Sequence, residues 1–269
     1  TLDRSSAASD VYKRQGKTTD TNKLVLNFNN KKVADIPITA LADEAPQYDR
    51  KSKKFKVKKN NFKIKDLKKI KTEEALFKIL SSPDHSNKSW ITDQYDQVVM
   101  CDTIQKSGGD AAVVRVHKKE KAISISVDSS ANYCVADPRT GGKQIVCENW
   151  RNLISVGAKP VAITNCLNFG SPEKEENMGE FVECVEGISE AAKYLTFPVV
   201  SGNVSFYNQT KEVGIKPTPV IGGVGLIKDY TKMITMNFKN EGNIILVIGK
   251  TEGHIDQSLF ARTILDLSL

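Results

Sequence analysis

The 269-residue sequence predicts an α+β fold, and three features carry that expectation. Short runs that alternate apolar and polar residues recur at 23–38, 113–116 and 123–127, the period-2 signature of strands with two unlike faces. Phe181, Val185, Ile188, Ala192 and Leu195 instead succeed one another at steps of four and three, the apolar face of a helix. Between residues 137 and 225, apolar runs or helix starts meet Gly, Asn, Asp or Ser four times, in DPRTGG, TNCLNFGSPE, SGNVS and IGGVG. Those residue types offer backbone N–H groups and short oxygen ligands to phosphate and magnesium. Four such junctions in one stretch point to a composite nucleotide or phosphate site.

In chain order, residues 1–15 share no pattern with the rest of the chain, and SSAASDVYKRQ resembles translated sequencing-adapter sequence. They are read as a non-native scar and left out of fold reasoning. The alternation at 23–38 turns at Asn29-Asn30, a hairpin signal, and Ala42–Pro46 is a turn or loop. Residues 51–71 hold eleven lysines against one acid, Asp66. Thr72–Leu80 is a short helix with Leu76, Ile79 and Leu80 inward. A new unit starts at Pro83. Val113–Val116 and Ile123–Val127 are strands, and a helix comes after Gly141-Gly142 with Val146, Trp150, Leu153 and Ile154 on one face. Gly157 stops it, and Val161–Thr164 is a buried strand. Ser171 as N-cap, Pro172 at the first helical position and Glu173 near the dipole open the next helix. Strands at Val199–Ser201, Val220–Leu226 and Ile244–Ile248 complete the pattern. The last residues, ILDLSL, end inside an apolar-periodic run. Both ends look cut, so an internal fragment of a longer protein is expected.

The net charge of +7 suggests nucleic-acid binding until its distribution is considered. The lysine-rich run alone exceeds it, so the remainder is about −3 by difference. A near-neutral protein with one solvated basic connector is the reading, with a phosphate or RNA contact as its alternative. Cys101, Cys134, Cys147, Cys166 and Cys184 form no CxxC pair, are odd in number and mostly sit in apolar contexts, which reads as reduced thiols of a cytoplasmic protein. No apolar run approaches the roughly 18 residues of a membrane span. His85, His117 and His254 are scattered and read as surface residues; no Ser-His-Asp set, zinc cluster or catalytic carboxylate pair is apparent.

The candidate site residues come from the junctions. Ser201-Gly202-Asn203-Val204-Ser205 comes directly after a strand, where Gly202 lets backbone approach a ligand without a Cβ. Asn203 offers a hard carbonyl oxygen of the kind Mg²⁺ accepts, and Ser205 a hydroxyl close by; a tight turn held by a left-handed Asn is the competing reading. Asn165 opens a second loop after strand 161–164, where Asn168 and Gly170 either shape the loop or touch ligand. Asp137 is either a metal ligand or a turn former before Pro138, with the glycines of DPRTGG presenting N–H groups at a helix start. Gly222-Gly223-Val224-Gly225 lies within a strand and serves close backbone packing rather than a phosphate cradle, since no helix start comes after it.

These same residues carry a family resemblance. GGDAAVVRV (108–116), ADPRTGGKQIVCENWRNLISVGAKPVAITNCLNFGSPE (136–173), PVVSGNVSFYN (198–208) and PTPVIGGVGLI (217–227) resemble the second half of phosphoribosylformylglycinamidine synthase, small bacterial type, with VADIPITALADEAPQYDR (33–50) and GHIDQSLFARTIL (253–265) in the same order. The resemblance implies aminoimidazole-ribonucleotide-synthetase-like (PurM-like) domains: 16–50 the tail of one C-terminal domain, 51–82 a linker, 83–228 an ATP-binding type N-terminal domain, and 229–269 the start of another C-terminal domain. It implies ATP and Mg²⁺ as cofactors, with Asn165 and Gly202 at ATP, Asn203 at the metal and Ser205 at the substrate, formylglycinamide ribonucleotide. Asn165 stands where the family often has Asp, keeping the oxygen and losing the charge. A glutaminase subunit and a small bridging subunit are the implied partners, without membrane or nucleic acid. The family's catalytic histidine and most metal carboxylates lie in its first half, so no catalytic residue is named here. The alternatives are another ATP-dependent enzyme of the same superfold, a selenophosphate synthetase or aminoimidazole ribonucleotide synthetase relative, or a non-catalytic lysine-rich binding protein.

Overall fold

The computed structural model describes residues 16–57, 67, 70–250 and 255–267. The described residues divide between Asp49 and Arg50 into two compact units. In the first, β1 (Lys23–Phe28) and β2 (Lys31–Pro37) make the expected antiparallel hairpin. Asn29 and Asn30 both take positive φ, 49° and 59°, and such a two-residue turn matches the right-handed twist of its strands. One helical turn, Ile38–Leu41, comes next.

The second unit is built on a six-stranded sheet in the order β3-β4-β5-β10-β6-β7. Its strands are β3 (Thr103–Gln105), β4 (Ala112–Arg115), β5 (Ala122–Ser129), β6 (Lys159–Asn168), β7 (Val199–Ser205) and β10 (Thr218–Ile227). A small hairpin of β8 (Gln209–Thr210) and β9 (Val213–Gly214) intervenes. Neighbours are antiparallel except β6 and β7, which are parallel. That pair is joined by a crossover helix, as parallel strands require.

Five helices matter: α1 (Thr72–Leu80), α2 (Ala131–Ala136), α3 (Pro138–Ser155), α4 (Glu175–Tyr194) and α5 (Leu259–Ile264). The long pair α3 and α4 packs together, and α3 lies across β5, β10 and β6. Ile145, Val146 and Leu153 of α3, Cys184 and Ile188 of α4, and Ile163, Leu167 and Ile221 of the sheet form one buried core with Phe169 and Phe197. Each fully buried large side chain contributes roughly 1.5–3 kcal/mol. Phe181 meets Phe169 and Phe206 edge to face, at centroid distances of 5.3 and 5.0 Å.

The helix-facing side of β5 carries Ala122, Ser124 and Ser126, all buried, while Ile123, Ile125 and Val127 are exposed on the other side. Small residues are needed there because α3 comes close. A Cβ on Gly223 would overlap the Asn149 side chain, and one on Gly225 would lie 2.5 Å from Ser124 Oγ. Gly223 and Gly225 of IGGVG therefore serve close packing on the helix-facing side, while Gly222 faces Thr164 on the other.

Several expected boundaries change. The α3 helix begins at Pro138, so Gly141 and Gly142 lie inside it and present no free anion cradle. A Cβ on Gly142 would sit 2.6 Å from Cys184 O, which is why the two helices cross there. Ile154 is exposed rather than inward. Helix α4 starts at Glu175 after Lys174, which makes no side-chain cap; Ser171, Pro172 and Glu173 form a turn ahead of it, with Ser171 Oγ accepting from Glu173 N. On α1 the buried residue is Ala75, and Leu76 and Leu80 face solvent. Strand β6 runs ten residues, and Val161 and Thr164 are exposed rather than buried. Ile244–Ile248 is no strand and is exposed, because no neighbouring strand among the described residues offers it a hydrogen-bonding ladder.

The lysine-rich stretch is partly docked. Lys53 N donates to Glu175 O at 2.9 Å, its Nζ meets Glu176 at 2.8 Å, and Arg50 approaches Glu173 at 3.7 Å. A Cβ on Gly179 would collide with Lys53 O, so the backbone lies directly on α4. Residues 58–66 and 68–69 of this stretch lie outside the described residues, as does His254.

Candidate functional site

The parallel pair β6 and β7 brings the two most suggestive motifs side by side. Asn165 stands opposite Gly202, Cys166 opposite Asn203, and Asn168 opposite Ser205. Neither SGNVS nor Asn165 forms a loop: both lie within strands, and Asn203 has no left-handed backbone, which removes the tight-turn reading. Sequence reading puts both motifs in loops because glycine and asparagine disfavour strands, and a parallel partner overrides that preference.

Strand alternation then sorts the candidates onto two faces. Asn165 pairs with Gly202 and with Ile221, which is fully buried on the helix side. A Cβ on Gly202 would overlap the Asn165 carboxamide, with Asn165 Cγ 3.0 Å away. The glycine is thus required by Asn165, a different reason from ligand approach. Asn203 points to the open side, where its Nδ2 reaches Cys166 Sγ at 3.8 Å. Beside it Ser201 Oγ donates to Thr164 Oγ1 at 2.9 Å, and Thr164 Oγ1 donates to Ser201 O at 3.2 Å.

A concave pocket of about 380 Å³ opens on this side, bounded by Thr164, Cys166, Ser201 and Asn203 together with Val127 and Val220. Asn165 and Gly202 also border it. Ser205 does not. Its hydroxyl lies 3.2 Å from Asn208 Nδ2, and its carbonyl accepts from the same group at 2.8 Å, so it anchors the turn after β7. Asn168 donates to Thr218 O and Cys166 O, both at 3.2 Å, and shapes the strand ends.

The pocket's side chains are neutral hydroxyl, amide, thiol and valine groups, without lysine or arginine. Such a lining suits an uncharged, hydrogen-bonding group better than a bare polyphosphate. Asn203 Oδ1 is a neutral oxygen of the kind magnesium accepts. The described residues offer no group of three or more His, Cys, Asp or Glu side chains for a resident ion. Asp137, the other metal candidate, is the N-cap of α3, accepting from Thr140 N at 3.1 Å and Thr140 Oγ1 at 2.7 Å.

Two polar clusters escaped the sequence reading. Half-buried Asp128 accepts from Ser126 Oγ and Asn149 Nδ2, both at 2.7 Å, and from Asn152 Nδ2 at 2.8 Å. Asn149 is fully buried and its Oδ1 has no partner. Burial, then the charge of Asp128, push the nearby Glu148 carboxyl above its ordinary range. Asp102, buried at the other edge of the sheet, accepts from Arg115 Nε at 3.0 Å and pairs with His117 Nδ1 at 2.9 Å. The Arg115 hydrogen bond is the main cause that holds this carboxyl below its ordinary value. A signal existed for the first cluster in Asn149 and Asn152, polar residues beside the apolar positions Ile145, Val146 and Leu153 of α3.

Known proteins are similar to this chain in sequence and fold. Residues 108–227 match the AIR synthase related protein, N-terminal domain. The chain is 67% identical over 252 residues to phosphoribosylformylglycinamidine synthase subunit PurL of Pelagibacter ubique (strain HTCC1062), covering 93% of this chain and 34% of that protein. Among solved structures, Thermotoga maritima PurL complexed with ATP aligns with a TM-score of 0.57 at 29% identity, covering 79% of this chain and 32% of that one. The same protein complexed with FGAR aligns with a TM-score of 0.58 at 28% identity, with the same shares covered. The chain thus spans about a third of the length of the relatives it matches. The α+β fold is that of an AIR synthase related, PurM-like domain.

Proposed function

We propose that this chain, which carries an AIR synthase related domain and matches PurL subunits along nearly its whole length, is part of the ATP-dependent ligase that converts formylglycinamide ribonucleotide to its amidine in purine biosynthesis. The observation that carries the reading is the 67% identity to a PurL subunit over 93% of the chain. In the proposed reaction ATP phosphorylates the formamide oxygen, and ammonia then displaces phosphate to leave the amidine, ADP and phosphate. The ammonia comes from glutamine, hydrolysed by a separate glutaminase subunit that a small bridging subunit helps to hold. A cytoplasmic location suits this chemistry, and no helix among the described residues is long and apolar enough to cross a membrane.

Within that reaction the residues of this chain bind and orient. Asn165 and Gly202 border the same pocket and are assigned to nucleotide. Asn203 directs its amide into the open-side pocket and is assigned to the metal-bearing phosphate end. Ser205, with Asn208, is assigned to the ribonucleotide at the strand's end. Magnesium, when bound, would offset phosphate charge during transfer. The 269-residue chain by itself should form no amidine from ATP and ammonia, since the resemblance puts the catalytic histidine and most metal carboxylates in the family's first half, outside the third that this chain spans.

The test is Asn203→Ala in the full-length subunit, assayed with ammonia over a series of Mg²⁺ concentrations. Loss of one hydrogen bond or ligand oxygen, roughly 0.5–1.5 kcal/mol, should raise the Mg²⁺ requirement and lower activity about three- to tenfold, with partial recovery at high Mg²⁺. Normal activity at every Mg²⁺ concentration would remove Asn203 from the site. Amidine formation by the isolated chain would overturn the division of labour.

A further inference from the structure

At the far end of the same domain a second concavity has no role in the proposed reaction. The C-terminal ends of α3 and α4 meet there with the start of β6 and the end of β10. The groove measures about 970 Å³, and Trp150, Ile154, Leu195 and Leu226 line it. Thr196 and Pro198 are shared with an adjoining hollow of about 420 Å³. Trp150 and Leu195 are only partly buried and Ile154 is 40% exposed, so the lining is apolar and open.

Three lysines stand at its margin: Lys159 at the head of β6, Lys228 just after β10, and Lys193 in the last turn of α4. All three are exposed. Among the described residues none makes an ion pair or side-chain hydrogen bond, whereas nearby acids are already engaged: Glu190 with Arg139 and Lys143, and Asp229 with Lys232. The two helix C-termini bring about half a negative charge each. Three full positive charges outweigh them.

We propose that this groove docks an acidic amphipathic segment of a protein partner, with aliphatic or aromatic anchors on Trp150 and carboxylates facing Lys159, Lys193 and Lys228. An aromatic anchor position inside a charged rim is the usual anatomy of a protein-docking patch. The size and apolar floor fit a helix laid in a groove. Nucleic acid would be expected to exploit the lysines and leave the aliphatic floor unused.

The test uses the full chain with Trp90→Phe, which leaves Trp150 as its one tryptophan reporter. The probe is a fluorescein-labelled helical peptide with leucines at i, i+3, i+4 and i+7 and glutamates along both flanks. Saturable anisotropy with a change in Trp150 emission is expected. Affinity should fall roughly tenfold or more in the triple variant Lys159→Glu, Lys193→Glu, Lys228→Glu. Ile154→Glu, at an exposed position, should weaken binding comparably. Far-UV circular dichroism verifies the fold, and salt titration of the unsubstituted groove repeats the charge test without the triple variant. Absence of saturable binding, equal affinity in the triple variant with no salt dependence, or an unmoved Trp150 overturns the proposal. Stronger competition by poly(U) or phosphatidylserine vesicles than by unlabelled peptide would also overturn it, in favour of nucleic acid or membrane.

Discussion

Gly202 and Asn165 form a single structural unit: the side chain of one occupies the space where the other lacks a Cβ. Sequence spacing places them 37 positions apart and gives each its own reason to exist. Only the parallel register shows that replacing Gly202 must displace Asn165. A comparable dependence governs Glu190 on the helix surface. Hydrogen bonds from Lys143, then Arg139, pull its carboxyl down to about 2 from an ordinary 4.5. Because the folded value is depressed, this group's stabilisation is complete above about pH 4.5 and disappears as pH falls through about 2. Glu190→Gln should therefore lower the thermal midpoint at pH 7, with the difference from wild type shrinking progressively below about pH 4.5. A constant difference down to about pH 2.5, measured by calorimetry, would show that the ion pairs are not its source.

At the scale of elements, the decisive contact is the crossing of α3 and α4. Gly142 lies against Cys184 O and Ile188 N, which a Cβ there would approach to 2.6 and 3.2 Å, and Gly187 faces the Arg139 carbonyl in the same way. These neighbours are backbone and cannot swing aside. Gly→Ala in a helix gains about 1 kcal/mol in propensity. Forcing a methyl into a packed crossing costs typically about 1–3 kcal/mol and more against backbone. The second effect wins, so Gly142→Ala and Gly187→Ala should each destabilise by about 1–2 kcal/mol in denaturant titration, although both are favourable changes by propensity. A stabilised Gly187→Ala would mean the helices are farther apart than described. Buried Cys134 and Cys184 sit at the same crossing, where the neighbouring thiol and burial push the Cys184 thiol up, so both should resist alkylation in the folded chain.

Across the whole molecule, charge is distributed by segment. The lysine-rich stretch begins as a strap on α4 through Lys53, and such exposed ion pairs contribute at most about 1 kcal/mol. Replacing Lys54, Lys56, Lys58 and Lys59 with glutamine in the full-length subunit should leave turnover close to wild type. A tenfold loss, about 1.4 kcal/mol in transition-state terms, would assign these lysines to the chemistry. The open side of the sheet carries the other large-scale property. Ile123, Ile125 and Val127 face away from the helices, opposite to the usual hydrophobic-in arrangement, while the small Ala122, Ser124 and Ser126 lie beneath α3.

Local preferences already determined a good part of this chain. The hairpin at Asn29-Asn30, the helix over Thr72–Leu80, the stop at Gly157 and the apolar stripe from Phe181 to Leu195 depend on turn chemistry and period, which act within a few residues. Of the candidates that motif spacing singled out, Asn165, Gly202 and Asn203 border the β6–β7 pocket and Ser205 does not. Tertiary structure alone decided which of them are strands, which face each points to, and whether a glycine serves a ligand or a neighbouring helix. Gly141 and Gly142 read as a phosphate loop until α2 lies against the first and α4 against the second, and Ile244–Ile248 reads as a strand but has no partner among the described residues to pair with. The physical reason is common to these cases. A backbone hydrogen bond in a sheet, and the space a missing Cβ leaves open, are both properties of the neighbour brought alongside, and that neighbour is far away in sequence.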